Sequence, residues 1–229
     1  MAEFLVYTVI TPLTVMLTHL TEVIKKHAYE LLGRTETMQL VENLKKTEPE
    51  LVADAIPGVI SYSGLEKVLR ALLKEGVPIR DLGLILEAIV DAGPNRDPDI
   101  ITEQVRGRLS RTITRRFCEN GQMRVVTLDA EVEKKILSAL TKNDQGVYLA
   151  LSPDVMQQIM TQLGELRKKF QELSQTPIVL TSQVIRVYLS RMITQFYPDF
   201  YVLSFSEITS NVQIQAIGNI TLQPQQTQP

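Results

Sequence analysis

One cysteine, two histidines and no tryptophan stand among the 229 residues, and each scarcity removes a class of function. Cys118 alone closes no intramolecular disulfide and has no second thiolate for a zinc site, which suits a reducing cytoplasm. His19 and His27 fall on one predicted helix but about 80° apart around it, too divergent to share a metal. Arg115 and Arg116 precede Cys118 closely enough to lower a thiol pKa, yet a lone small thiol more commonly serves as packing. No GxGxxG, GxxxxGK(S/T) or GxSxG occurs, so the chain lacks the sequence marks of a phosphate cradle and of a nucleophile elbow. No catalytic residue, metal or cofactor is expected, and the chain does not read as an enzyme.

Charge of one sign and long apolar runs are also scarce. The formal net charge is -2, so no global field draws the chain to nucleic acid or to an anionic membrane. Nothing reaches the roughly 18 consecutive apolar residues of a membrane helix. The opening MAEFLVYTVITPLTVMLTHL is interrupted by Glu3, Pro12 and His19, and no Lys or Arg precedes it, which argues against a signal or anchor. A soluble cytoplasmic chain is expected.

What is present is periodicity. In YSGLEKVLRALLKEGVPIRDLGLILEAIVDAG, residues Leu65, Val68, Leu69, Leu72 and Leu73 keep the spacing of one buried helix face, and Leu82, Ile85, Leu86, Ile89 and Val90 repeat it. Two such helices joined through Gly76-Val77-Pro78-Ile79 should fold back on each other or lean on a shared third partner. Arg80-Asp81 between them reads as local punctuation, a carboxylate at a helix start beside a solvated cation. Further helices are predicted over 12–32, with Thr11 as N-cap and Pro12 at the first position, and over 36–46, 49–55 and 99–118. Residues 4–10 read as a buried strand.

The pattern changes after residue 121. Strand-like runs at 122–128, 146–151, 177–181 and 200–205 alternate with helices near 129–142, 153–174 and 183–197, an α/β rhythm that implies partly parallel pairing in one sheet. A last run, 211–217, alternates polar and apolar residues like an edge strand or an antiparallel arm. The fold class expected is α+β and mostly helical: a helical subdomain followed by a small α/β subdomain with a mixed, partly parallel sheet. Residues 34–120 and 121–222 are the two subdomains, and the polar tail 223–229 is expected to be disordered.

The strongest local charge is RGRLSRTITRR at 106–116. On a continuous helix Arg108, Arg111 and Arg115 cluster at about 200°, 140° and 180° from Arg106, while Val105, Leu109, Ile113 and Phe117 form a stripe on the other side. Two readings follow: a docked helix with a solvated basic face, or a nucleic-acid surface. No aromatic residue interleaves with the arginines to stack on bases.

PGVISYSGLEKVLRALLKEGVPIRDLGLILEAIVD, with THLTEVIKKHAYELLGRTE at 18–36 and YTVITPLTV at 7–15, closely resembles the C-terminal cytoplasmic domain of the flagellar export-gate family, which is shared with the export gates of virulence type III secretion. The resemblance runs from about residue 4 to 222. It implies a component of the type III protein export apparatus, flagellar or virulence. Members have a membrane region at the cytoplasmic face of the bacterial inner membrane. Their four-subdomain cytoplasmic part forms a nine-membered ring and docks export chaperones, their substrates and other soluble export proteins. By this resemblance residues 1–33 are a remnant of the first cytoplasmic subdomain. Thr18 matches one contributor to the chaperone-docking pocket, whose other contributors have no counterpart here. Thr35 stands where members usually carry Gln, and Thr11 where an acidic residue often precedes the Pro. With that pocket and one ring surface incomplete, the chain is expected to be a monomer that binds chaperones weakly.

Overall fold

The computed structural model describes residues 11–94, 97–143 and 146–222. The predicted strand 4–10 and the tail 223–229 lie outside the described residues. Contacts divide the chain into two compact units, Met1–Pro98 and Asp99–Pro229, so the division falls before the predicted helix 99–118.

The first unit is helical throughout its described residues. Its elements are α1 (Pro12–Leu31), α2 (Arg34–Lys45), α3 (Pro49–Ala55), α4 (Tyr62–Lys74) and α5 (Leu82–Ala92). Their starts are chemically marked. The Thr14 amide donates to Thr11 Oγ1 at 3.3 Å, and the Gly64 amide to Ser61 Oγ at 3.1 Å. The Gly33 amide donates to Glu36 Oε2 at 3.0 Å. The twin helices α4 and α5 take the second of the two arrangements open to them, since both pack on α2, with α3 against α5. Their stripes supply core residues: Leu65, Val68, Leu69 and Leu72 of α4 and Ile85, Leu86 and Ile89 of α5 are buried, as are Val41 of α2 and Val52 of α3. Burial of each such side chain contributes about 1.5–3 kcal/mol. Arg80 and Asp81 are exposed on the connector.

The second unit begins with α6 (Pro98–Arg108) and α7 (Ser110–Phe117). The expected single helix 99–118 is therefore corrected to two, broken at Leu109, two residues after the weak helix former Gly107. Then come β1 (Gln122–Leu128), α8 (Ala130–Ser138), β2 (Leu140–Asn143), β3 (Gly146–Leu149), α9 (Pro153–Glu172), β4 (Ile178–Thr181), α10 (Gln183–Phe196), β5 (Tyr201–Ser204), a short 3-10 turn at Phe205–Glu207 and β6 (Gln213–Ile220).

Strands β5-β4-β1-β6 form a four-stranded sheet in that order, and every pairing in it is parallel. The run 211–217, expected as an edge or an antiparallel arm, is a parallel edge strand beside β1. Its register shifts between Val125 and Val126, where Ile217 is the extra residue. The helix predicted to 142 ends at Ser138. Its last residues become β2, which pairs antiparallel with β3 in a separate two-stranded sheet. The expectation that 146–151 and 177–181 share one sheet is thus also corrected.

Helix α9 lies against β6. A Cβ on Gly218 would come within 2.3 Å of Leu166 Cδ2, so glycine allows this approach. Val126, Val179 and Val202 from the sheet meet Ile159, Leu163, Phe170, Leu189 and Ile193 from the helices to form the core of this unit.

Helix α5 ends at Gly93, which has φ 71° and ψ -179°, a region open almost only to glycine. Gly93→Ala is expected to destabilise the first unit by about 1–3 kcal/mol although a Cβ there meets open space. Urea unfolding followed by far-ultraviolet circular dichroism checks this, and an unchanged midpoint would contradict it.

Candidate functional site

Helix α1 carries Thr18, the residue singled out from the sequence. Every residue from Thr11 to His27 is exposed, and α1 contributes no buried side chain. Toward its C-terminal end Ala28 and Tyr29 are half-buried. There the helix meets α4, and the charge of Arg70 on α4 reaches Tyr29 and Glu30. Glu30 accepts from His27 Nδ1 at 2.8 Å, which holds its carboxyl below the ordinary range. His19 is exposed on the same helix.

Leu13, Met16, Leu17, Leu20, Val23, Ile24 and Leu31 lie within an arc of about 120° on α1. Their exposures run from 41% to 69%. Thr18 projects about 160° from the centre of that arc, so the matched residue and the apolar stripe occupy opposite sides of one helix.

A second constellation, in the Asp99–Pro229 unit, was not found from the sequence. Arg106 on α6 and Arg186 on α10 are 1% and 0% exposed, and both are neutralised internally. Arg106 donates to Glu207 through Nε at 2.8 Å and Nη2 at 2.7 Å, a two-pronged carboxylate clamp. Arg186 donates to both oxygens of Glu103 from Nε, at 2.9 and 2.8 Å, and also from Nη2 to Oε1. Its Nη1 donates to the Val202 carbonyl of β5 at 3.1 Å, and its Nε lies 3.5 Å from Glu207 Oε1.

Two guanidinium groups and two carboxylates therefore share one interior space with no net charge. Burial pushes the Glu103 carboxyl above the ordinary carboxylate range, against the opposing pull of Arg186 and Arg106. The Thr114 hydroxyl donates to the Glu207 carbonyl at 3.1 Å and accepts from the Thr209 amide at 3.1 Å, which holds the turn carrying Glu207 against α7.

The Arg segment thus divides into inner and outer members. Arg108, Arg111 and Arg115 are exposed, as is Arg116, which stacks beside Phe117 and Tyr201 and donates to the Tyr201 hydroxyl at 3.2 Å. Val105, Leu109 and Ile113 form the buried stripe beside them. Cys118 is half-buried. Among the described residues no group of three His, Cys, Asp or Glu side chains is placed to hold a metal, and no helix is long and apolar enough to cross a membrane.

The architecture is that of a mostly helical α+β protein whose exposed features are a helix face and a basic segment. A family model described as the FHIPEP family matches residues 1–213. Flagellar biosynthesis protein FlhA of Bacillus subtilis (strain 168) is 39% identical over 223 residues, which are 96% of this chain and 33% of that protein. Among solved structures, the Chlamydia pneumoniae CdsV protein matches with a TM-score of 0.85 at 32% identity, covering 92% of this chain and 61% of that one. CdsV has also been solved as a complex with CdsO. Nonameric EPEC SctV-C matches with a TM-score of 0.81 at 28% identity, covering 90% of this chain and 63% of that one. The chain belongs to the FHIPEP family, and it spans about a third of the length of the curated FlhA relatives it matches.

Removing one carboxylate from the buried cluster leaves guanidinium charge without its counterion, so Glu207→Ala is expected to cost about 3–5 kcal/mol. Replacing Arg108, Arg111 and Arg115 by Ala is expected to change stability by no more than about 0.5 kcal/mol per site. Urea unfolding by circular dichroism compares the two variants; equal losses would contradict the division.

Proposed function

We propose that the chain is a cytoplasmic part of a type III export gate, of the flagellar kind, that works without chemistry of its own by docking export chaperones, their substrates and soluble export proteins. The observation that carries this reading is the FHIPEP match over residues 1–213, supported by likeness to FlhA and to the CdsV fold. On the same reading it takes part in a ring like that of nonameric SctV-C and meets a partner as CdsV meets CdsO. Residues 1–33 then belong to the first cytoplasmic subdomain, 34–120 to the helical one and 121–222 to the α/β one. The reading places the chain at the cytoplasmic face of the inner membrane. Thr18 contributes one wall of the chaperone-docking pocket, and its exposure on α1 is consistent with that role.

The test replaces the matching third of Bacillus subtilis FlhA with this chain. The chimera is expected to restore flagellar assembly, and a stably expressed chimera without flagella would overturn the reading. Within the chimera's cytoplasmic part, Thr18→Glu is expected to weaken calorimetric binding of a flagellar chaperone–substrate complex by about 2 kcal/mol, roughly thirtyfold. Unchanged affinity would remove Thr18 from the docking surface.

A further inference from the structure

Nonameric SctV-C sets a symmetry requirement for the ring proposed above. Pairing of identical patches needs a two-fold axis, and a ring of nine has none between neighbours, so each copy meets its two neighbours through two different patches. We infer that on this chain these are the arginine face of α7 and the carboxylates of α3 and α5, the first docking on the second of the next copy. This assignment rests on the ring reading and adds to it the surfaces that meet.

Sign is the first observation. Helix α7 carries Arg111, Arg115 and Arg116 and no carboxylate. Helix α3 carries Glu50 and Asp54, α5 carries Glu87 and Asp91, and neither holds a Lys or Arg. The two pack against each other, so four carboxylates belong to one helix pair, and all four are exposed. Arg116 is engaged with the Tyr201 hydroxyl, which leaves Arg111 and Arg115 as the outward pair.

Spacing is the second. Arg111 and Arg115, Glu50 and Asp54, and Glu87 and Asp91 are each four residues apart, hence neighbours on one helix face with about 6 Å between Cβ atoms. Like charges at this spacing oppose the helix that carries them, whereas opposite charges support it, as Glu66 and Arg70 do on α4. Same-sign pairs serve an intermolecular match instead, in which two guanidinium groups meet two carboxylates at equal pitch.

Place in the chain is the third. Helices α3 and α7 have described residues on both sides, so their exposure is not that of a chain end. Ile113 and Thr114 hold α7 by its buried side and leave Arg111 and Arg115 outward. Exposed ion pairs contribute little singly and are screened by salt, so the contact is weak, specific in register and dependent on ionic strength. In dilute solution the chain is then the monomer expected from its sequence.

The experiment is sedimentation equilibrium on the full chain from about 5 µM to about 500 µM, a range that brackets a constant on the order of 100 µM. It is run at about 0.1 M and about 1 M salt, between which the screening length falls from about 10 Å to about 3 Å. Five proteins are compared: the chain as it is; Arg111→Glu with Arg115→Glu; Glu50→Arg with Asp54→Arg; all four changes together; and Lys168→Glu with Lys169→Glu, which changes net charge equally on α9. Every substituted position is exposed, and circular dichroism checks that each variant is folded.

At the lower salt the average mass of the chain and of the α9 variant is expected to rise above 25.8 kDa with concentration, and at the higher salt to fall back toward it. Each single-sided reversal is expected to stay at one chain mass, and the fourfold exchange to regain association. Association that survives both single-sided reversals, or that the fourfold exchange fails to restore, would overturn the inference while leaving the ring reading in place. A single mass for the unsubstituted chain at every concentration would also overturn it, and the flagellar chimera then decides the export-gate reading separately.

Discussion

The Asp99–Pro229 unit depends on one interaction, the buried four-membered cluster of Glu103, Arg106, Arg186 and Glu207. A guanidinium transferred alone to a protein interior costs several kcal/mol, and here two of them are nearly inaccessible to water. They are tolerable because each meets a carboxylate in paired hydrogen bonds and because Arg186 also finds the Val202 carbonyl. The geometry is demanding, since it fixes α6, α10, β5 and the turn after β5 relative to one another. Apolar contacts among Val126, Val179, Leu189 and Ile193 tolerate small slips, whereas a two-pronged Arg–carboxylate pair does not. The cluster thus specifies which arrangement of an otherwise adaptable core is adopted.

Much of this was legible in the sequence. The twin stripes of α4 and α5, the Thr11-Pro12 start of α1 and the α/β rhythm after residue 121 all follow from local spacing and capping chemistry. The buried arginines could have been suspected too. Arg106 has Val105, Leu109 and Ile113 at i-1, i+3 and i+7, and Arg186 has Ile185, Leu189 and Ile193 at the same offsets, so each sits inside an apolar stripe. What the spacing cannot reveal is the partner. Glu207 lies 101 residues from Arg106, and Glu103 lies 83 from Arg186.

The misread elements share a physical cause. Leu140–Asn143 continues an amphipathic helix pattern, and only pairing with Gly146–Leu149 makes it a strand, so tertiary context overrides local preference. The break at Leu109 is similar, because Val105, Leu109 and Ile113 keep one helical stripe across it. On α1 the sequence identified the helix, but no periodicity states whether an apolar face is covered. Thr18 was placed by resemblance, and its relation to the stripe came from geometry alone.

The central claim is that the arginine segment at 106–116 serves two purposes, with Arg106 as an internal tie and its neighbours as surface. A double-mutant cycle between Arg106→Met and Glu207→Leu, measured by urea unfolding, tests it most directly. Each single change should strand a buried charge, while the double change removes both and leaves an apolar pair. The account predicts a coupling of at least about 2 kcal/mol, with the double variant far more stable than the sum of the singles implies. Additive losses, with no coupling beyond about 0.5 kcal/mol, would contradict it.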